Sequence, residues 1–155
     1  MRKIEFRGMS KHGWSYGLPH YSPENGVWAM VESNGWTPSY ANPDEGECNV
    51  YTAIDYNTVG QSTGFKDNKG NKIFDGDIIR LHTGLITVDD QLMKVCFNQG
   101  AFGLRSLEHD GVKIFTSFVP MCAISKSLMD RNIFKEAEDV LEVIGNIHQN
   151  KELIK

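Results

Sequence analysis

The chain lacks the features that would place it in several large classes of protein. Its charges nearly balance, with 16 Lys and Arg against 20 Asp and Glu and a net charge of −4, so the surface as a whole is not expected to bind nucleic acid through phosphate. No stretch approaches the ~18 consecutive apolar residues of a membrane span. Near the start, Ile4-Glu5-Phe6-Arg7 alternates in polarity, which predicts a strand rather than a signal peptide. We therefore expect a soluble, cytoplasmic protein.

The residues that most often bind metals or cofactors are few or unsuitably spaced. The three cysteines, Cys48, Cys96 and Cys122, are odd in number and far apart, which is typical of free, mostly buried thiols in a reducing compartment. The five histidines show no HxxxH or HExxH spacing, and no close cysteine pair accompanies them, so a zinc site is not expected. P-loop and dinucleotide-binding fingerprints are missing as well. The sequence predicts neither a metal nor a cofactor.

Three short patterns resemble catalytic or ion-binding motifs but lack the context that those motifs need. Gly60-Gln61-Ser62-Thr63-Gly64 matches G-x-S-x-G, yet a nucleophile elbow requires a helix after it, and a polar turn is predicted there. Asp75 and Asp77 flank a glycine as turn residues do, whereas a catalytic pair needs further partners converging from elsewhere. The segment 67–71 places Gly and Lys where a calcium loop cannot use them. We predict no catalytic residue, and an unrecognised hydrolase is the least favoured function.

What the sequence does contain is a succession of turn residues and short apolar runs, which predicts a mainly β protein. Asp67-Asn68-Lys69-Gly70 is turn chemistry, so the strands 61–65 and 72–74 form a hairpin. After a second bend at 75–77, a third strand covers 78–81. The same criteria predict further strands over residues 2–9, 14–18, 27–31, 85–88, 93–97, 102–104, 112–119 and 121–125, with a hairpin turn at Asp110-Gly111.

The segment 140–147 satisfies the patterns of both a helix and a strand. Val140, Val143, Ile144 and Ile147 have helical spacing. Gly145-Asn146 falls inside the run, however, and both residues weaken a helix, while β-branched residues favour a strand. We predict a strand over 140–147 and a short helix over 149–154, and the helical alternative for the first segment stays open.

The N-terminal third is rich in proline and in aromatic residues. Residues 19–50 hold four of the five prolines and several Asn-Gly or Glu-Gly pairs, and this part is predicted to be irregular apart from the strand 27–31. The aromatic residues in and around it are Trp14, Tyr16, Tyr21, Trp28, Trp36, Tyr40 and Tyr51. Exposed together, they would form a binding surface. A small aromatic core under long loops is the commoner role for such residues and is preferred.

Several of these motifs together resemble the signature of the YopX family, small proteins of bacteriophages and prophages. The resemblance lies in Ile4–Gly8 and Trp14–Gly17 near the start, in Thr58–Gln61, Thr63–Phe65, Asp67, Gly70, Lys72–Phe74 and Gly76–Ile79 in the centre, and in Glu142–Ile147, Asn150, Glu152 and Leu153 near the end. Ser62 departs from the pattern, because the family usually carries an aromatic residue there. The resemblance implies a β-rich fold of phage origin in a bacterial host cell. It implies no catalytic residue, because none is established for the family.

The fold expected from all of this is mainly β, in the α+β class, and forms a single domain over residues 1–155. Residues 1–54 supply N-terminal hairpins and loops, residues 55–125 form a small bent sheet or an SH3-like barrel, and residues 126–155 pack on that core and end in a short helix. The leading hypothesis for function is a non-catalytic phage accessory protein that acts through protein contacts, as a homo-oligomer or with a phage or host protein.

A second hypothesis is a nucleic-acid-binding module centred on the central hairpin. Its candidate contacts are Lys66, Lys69, Lys72 and Arg80, which would line a groove if they share a face with Phe65 or Phe74. A lysine-bearing sheet edge is the simpler interpretation, since such edges also deter aggregation. Loss of binding with added salt distinguishes the two hypotheses.

Overall fold

The structure is a computed structural model that describes residues 4–32, 50–82, 90–107, 118–127 and 137–154. The described residues form antiparallel sheets and one short α-helix, which confirms the mainly β class. The chain divides into two compact units, residues 1–61 and residues 62–155. The single domain over 1–155 stays a prediction, and each unit is described by itself.

The first unit is an antiparallel sheet with strand order β4-β3-β2-β1-β5. Its strands are β1 (Phe6–Ser10), β2 (Gly13–Ser22), β3 (Val27–Glu32), β4 (Val50–Ala53) and the first part of β5 (Asp55–Lys66). The predicted strands near residues 2–9, 14–18 and 27–31 are all present, although β2 is longer than predicted. β2 continues through Pro19 because β1 pairs only with residues 13–17 of β2 among the described residues. Beyond that point β2 has an open side, which is where a strand tolerates proline.

One face of this sheet forms the interior of the first unit. Met30 on β3 is fully buried, and Gly8 on β1 lies against the side chains of Met30 and Ile54. Trp28, on the same face of β3 as Met30, stacks on Tyr56 with ring centroids 4.2 Å apart. The described residues do not form the predicted aromatic core, because Trp14 and Trp28 are only half-buried and Tyr16, Tyr21 and Tyr51 are exposed.

The second unit is built on an antiparallel sheet with strand order β10-β9-β8-β7-β11. Its elements are β6 (Lys72–Phe74), β7 (Asp77–Leu81), β8 (Gln91–Asn98), β9 (Ala101–Ser106), β10 (Val119–Pro120), α1 (Met121–Ser127) and β11 (Leu141–Asn146), with 3₁₀ turns at Ala137–Val140 and Lys151–Leu153. The end of β5 pairs with β6. The buried core comprises Ile73, Ile79, Leu81, Met93, Val95, Leu104, Met121, Ile124, Val140 and Leu141. The described strands form open sheets and no closed barrel is found among them, so the predicted SH3-like barrel is not observed there.

Three predictions for the second half of the chain concern single elements that the structure describes. The strand predicted over 121–125 is wrong, because α1 occupies residues 121–127. Met121 and Ile124 are three residues apart and both are buried, which is the spacing of one face of a helix. The strand over 140–147 is confirmed as β11, whereas the helix over 149–154 is reduced to one 3₁₀ turn. The predicted strand 85–88, the Asp110-Gly111 turn and most of 112–119 lie outside the described residues.

Candidate functional site

The central turn is held by one buried carboxylate. The Oδ1 atom of Asp67 accepts hydrogen bonds from the backbone N–H groups of Lys69 (2.9 Å) and Asn71 (2.8 Å). Its Oδ2 atom accepts one from the Asn71 side-chain amide (3.0 Å) and one from the backbone N–H of Val143 on β11 (3.3 Å). Gly70 completes the turn at φ 83°, a conformation that residues with a Cβ rarely adopt. The predicted turn is thus present, and Asp67 also joins it to a distant strand.

The surroundings of Asp67 favour its ionised form. Burial by itself would raise the pKa of this carboxyl group, but the hydrogen bonds from Asn71, Lys69 and Val143 outweigh burial and lower the pKa below the ordinary value of 3.8. The side chain is 3% exposed. A buried acidic group that accepts four hydrogen bonds in this way has a structural role, because every lone pair that would meet a ligand is already occupied.

The turn also contacts β11 through its backbone and through one charged side chain. The N–H of Asn68 donates to the carbonyl of Leu141 (2.8 Å), and Lys69 Nζ lies 2.7 Å from Glu142 Oε1. The central and C-terminal motifs, which are far apart in sequence, therefore form one structural feature. Sequence reasoning missed this contact, because nothing in the spacing of either motif indicates that β11 lies beside the turn.

Glu142 is the centre of a charged cluster on the surface of the second unit. Besides Lys69, its carboxylate lies 3.1 Å from His82 Nε2 and 3.4 Å from Arg80 Nη1, and His82 Nδ1 lies 2.8 Å from Asp90 Oδ2. The hydrogen bond from Lys69 lowers the pKa of Glu142, and the same bond raises the pKa of Lys69. The cluster balances acidic against basic groups, so it does not present a field of one sign to a ligand.

The structure divides the four predicted nucleic-acid contacts into two separate pairs. Lys69 and Arg80 both approach Glu142, so a carboxylate offsets their charge. Lys66 and Lys72 lie directly opposite each other in the β5–β6 ladder. The aromatic residues that were to accompany them do not present open rings, since Phe74 is buried and Phe65 packs against the core. A base needs an exposed ring for stacking, so this part of the arrangement does not favour single-stranded nucleic acid.

The residues that resembled catalytic motifs have backbone roles. Asp77 is buried, and its Oδ2 accepts the N–H of Phe74 (2.8 Å), which closes the bend between β6 and β7. Ser62 lies inside β5, opposite Phe74, instead of at a turn from strand to helix, so the geometry of a nucleophile elbow is not formed.

In the described part of the chain, no three His, Cys, Asp or Glu side chains gather closely enough to hold a metal ion. Cys96 is a free, half-buried thiol whose pKa is raised by burial, and Cys122 is free and exposed rather than buried. None of the described helices has the length and apolar character to cross a membrane.

The most unusual surface of the described residues is the second face of the β2–β3–β4 sheet, opposite Met30 and Trp28. Strand register places its side chains in three cross-strand rows: Leu18–Val31–Tyr51, His20–Ala29–Ala53 and Ser22–Val27. We call these eight residues the apolar face. Leu18 is 53% exposed, Val27 40% and Tyr51 59%. None of the rows contains Asp, Glu, Lys or Arg.

A pocket of about 540 Å³ opens on the apolar face. Val27, Ala29 and Ala53 supply its apolar lining, and polar atoms come from a few side chains such as His20 and Tyr51, whose rings meet edge to face with centroids 6.2 Å apart. Pockets of ~300–1,000 Å³ with an apolar lining and few polar groups are typical binding sites. The lining carries no formal charge of Asp, Glu, Lys or Arg, so it suits an uncharged group.

The sequence contains a pattern that indicates this surface, although no surface was predicted from it. β3 reads Val27-Trp28-Ala29-Met30-Val31, a continuous apolar run. A strand with one face in water normally alternates apolar and polar residues, whereas a continuous run is typical of a strand covered on both faces. Among the residues that the structure describes, Met30 on one face is fully buried, whereas Val27 on the other is 40% exposed. The predicted binding surface of exposed aromatic residues is also present in part, since Tyr16, Tyr21 and Tyr51 are all exposed, while Trp36 and Tyr40 lie outside the described residues.

Comparison with known proteins identifies a family to which the chain is similar and a solved structure that resembles it. The model of a family described as YopX protein matches residues 12–155. The crystal structure of protein EF1440 from Enterococcus faecalis is similar, with 21% sequence identity over 100% of each chain and a TM-score of 0.47. No curated protein matches the chain.

Proposed function

The chain belongs to the YopX family, and from that premise we propose that it is a non-catalytic accessory protein of a phage or prophage. It acts in the cytoplasm of the bacterial host by binding another protein molecule through the apolar face. The observation that supports this function is the strand β3, which is apolar on both faces but which the described residues cover on only one. An apolar face that stays in water is unfavourable by roughly 25 cal/mol per Å², so a partner that covers it gains that free energy.

The composition of the apolar face supports a protein partner. Cores of protein interfaces are depleted of charged residues and enriched in aromatic side chains such as tyrosine. The apolar face has no Lys, Arg, Asp or Glu, and Tyr51 is its most exposed large side chain. The backbone roles of Asp67, Asp77 and Ser62 support the non-catalytic part of the proposal, because these residues close turns or pair strands.

Capture from the host tests this function with one disrupting and one matched variant. The tagged chain is incubated with extract of a lysogenic host, and retained proteins are quantified for wild type, Tyr51→Lys and Ile4→Lys. Ile4 is 58% exposed and lies outside the rows of the apolar face, so it controls for adding a lysine to a surface. We expect wild type and Ile4→Lys to retain one protein, which is either another protein of the extract or an untagged copy of this chain. Tyr51→Lys is expected not to retain it. Identical retention by all three contradicts the proposal.

A second candidate, binding to nucleic acid, is favoured by one observation. Lys66 and Lys72 lie opposite each other in the β5–β6 ladder, which places two basic residues side by side at one point of the sheet. Paired basic side chains are the kind of group that neutralises backbone phosphates. Binding of labelled DNA over a salt series tests the candidate, since each phosphate contact adds about 0.9 to the slope of log K against log salt. Loss of about two units of slope in the Lys66→Ala, Lys72→Ala double variant supports it, and no binding at ~50 mM salt removes it.

A further inference from the structure

We infer that the β8–β9 hairpin binds single-stranded nucleic acid on the side of the second sheet that faces away from the core. Lys94 and Arg105 bind its phosphates, and the ring of Phe118 stacks on a base. We call these three residues the basic face. The inference rests on the second candidate function, binding to nucleic acid, and names a site for it other than Lys66 and Lys72.

The register of the strands brings the three residues of the basic face together. Lys94 lies directly opposite Arg105 in the β8–β9 ladder, and the neighbouring Leu104 is fully buried in the core. Because successive side chains of a strand point to opposite faces, Lys94 and Arg105 point away from the core. Val119 on β10 pairs with Leu104. The residue before it, Phe118, therefore follows the same register to a position beside Arg105.

The ring of Phe118 lies on the same side of the sheet as the two basic side chains. Gly103 is two residues from Arg105, so a Cβ atom on Gly103 would point to that side, and there it would meet the Phe118 ring. The ring is half-buried. Phe65, in contrast, packs against the core and Phe74 is buried. Phe118 therefore has the position beside basic residues that neither of those two rings has.

The charges of Lys94 and Arg105 are not offset by a carboxylate. Among the described residues, no side-chain hydrogen bond or ion pair involves either of them, whereas Glu142 offsets both Lys69 and Arg80. Arg105 is exposed and Lys94 is half-buried. Residues directly opposite each other have Cβ atoms about 4.5–5.5 Å apart, and like charges there repel. A phosphate between the two side chains is attracted to both.

The thiol of Cys96 shows the sign of the electric field beside the basic face. Cys96 lies opposite Gly103, one row away from Lys94 and Arg105. Burial raises the pKa of Cys96 most, and Asp75 raises it further. Arg105 and Lys94 both lower this pKa, and the effect of Arg105 exceeds that of Asp75. The three charges together therefore produce a positive field at the thiol, which favours an anionic ligand.

A single strand of nucleic acid uses both the cations and the ring of the basic face. Proteins that bind single strands combine basic groups that follow the backbone with aromatic side chains on which bases stack. In a duplex the bases already stack on one another, so they are not available to Phe118. An acidic protein segment offers carboxylates to Lys94 and Arg105 but carries no flat base beside each charge.

Fluorescence anisotropy tests the inference with the full chain and a labelled DNA single strand of about 16 nucleotides, over a salt series from ~50 mM upwards. Each phosphate contact with a single strand contributes about 0.7 to the slope of log K against log salt. The double variant Lys94→Ala, Arg105→Ala should therefore lower the slope by about 1.4. Phe118→Leu removes the ring and should weaken binding at least about fivefold without changing the slope. Phe118→Tyr keeps a ring and should bind as wild type does.

A matched control removes the same charge elsewhere. Lys11→Ala, Lys151→Ala changes two exposed lysines outside the basic face and should leave the slope unchanged. Circular dichroism checks that each variant is folded. If the Lys94 and Arg105 double variant is not, Arg105→Gln takes its place, with an expected change in slope of about 0.7. Phe118→Met takes the place of Phe118→Leu in the same way.

The outcomes separate this inference from the function on which it rests. If the Lys66→Ala, Lys72→Ala variant lowers the slope and the basic-face variants do not, the second candidate stands and the inference falls. No binding by wild type at ~50 mM salt removes both. An equal loss in the control, or duplex DNA bound as tightly as the single strand, overturns the inference. Polyglutamate that displaces the labelled strand as effectively as unlabelled DNA overturns it in favour of an acidic protein.

Discussion

Replacement of Asp67 by asparagine should destabilise the protein by about 3 kcal/mol at neutral pH. The Asp67 carboxylate accepts two hydrogen bonds at each oxygen. An amide of the same shape has one oxygen and one NH₂ group, so in either orientation two of the four donors face another donor. Hydrogen bonds to charged groups contribute roughly 1.5–3 kcal/mol each, and the longer bond to Val143 belongs at the low end. For a chain of this length the loss corresponds to a fall in Tm of about 6–12 °C.

The effect of this substitution should depend on pH in a defined direction. The folded-state pKa of Asp67 lies below its ordinary value of 3.8, so ionised Asp67 stabilises the fold above the unfolded pKa. That stability is lost as pH falls through the lower, folded pKa. The difference between wild type and Asp67→Asn should therefore be constant from pH 7 to about pH 5 and should shrink from about pH 4 downwards.

Urea unfolding followed by circular dichroism at a series of pH values measures this difference. Glu24→Gln, at an exposed position in the turn after β2, removes one negative charge without a buried hydrogen-bond network and serves as the control. A difference that stays the same from pH 7 to pH 3, or a loss no larger than that of Glu24→Gln, would refute the structural role assigned to Asp67.

Three further expectations concern the second unit. Gly103→Ala should destabilise it by roughly 1–3 kcal/mol, because the new Cβ would lie 2.4 Å from Phe118 ring atoms; an unchanged Tm contradicts this packing. Ile79→Ala, at a fully buried position, should cost about 2–5 kcal/mol in urea unfolding, and a smaller loss would mean that the core collapses around the cavity. Glu142→Gln should return the pKa of Lys69 towards its ordinary value, seen by NMR titration of the lysine side chain; an unchanged titration would show that their ion pair is not formed in solution.

Local patterns in the sequence predicted most of the elements but little of their arrangement. The turn at Asp67–Gly70 was predictable because its chemistry is local: short polar side chains bond to their own backbone, and glycine accepts positive φ. α1 was missed because a short apolar run does not distinguish a strand from a helix. The contact between this turn and β11 could not be predicted, since it depends on which strands pair across the chain.

For the candidate site too, the sequence indicated the residues but not how they are arranged. Exposed tyrosines were considered as a binding surface from composition alone, and the structure contains such residues. The basic residues were expected to act together, but the partner that separates them, Glu142, comes from a distant strand. The apolar run of β3 was visible in the sequence. Its meaning depended on knowing which residues of β2 and β4 lie beside it, which only the pairing of the three strands shows.

The pairing of β7 with β11 has a consequence for how the second unit is made. Leu81 pairs with Leu141 and Asp77 with Asn146, so β7 lacks this neighbour until the ribosome has synthesised residues 141–146. Contacts between residues so far apart in sequence slow folding. During synthesis the nascent β7 offers an unpaired apolar edge, and such edges attract other extended chains. β11, which is translated long after β7, thus removes this risk of aggregation by pairing with it.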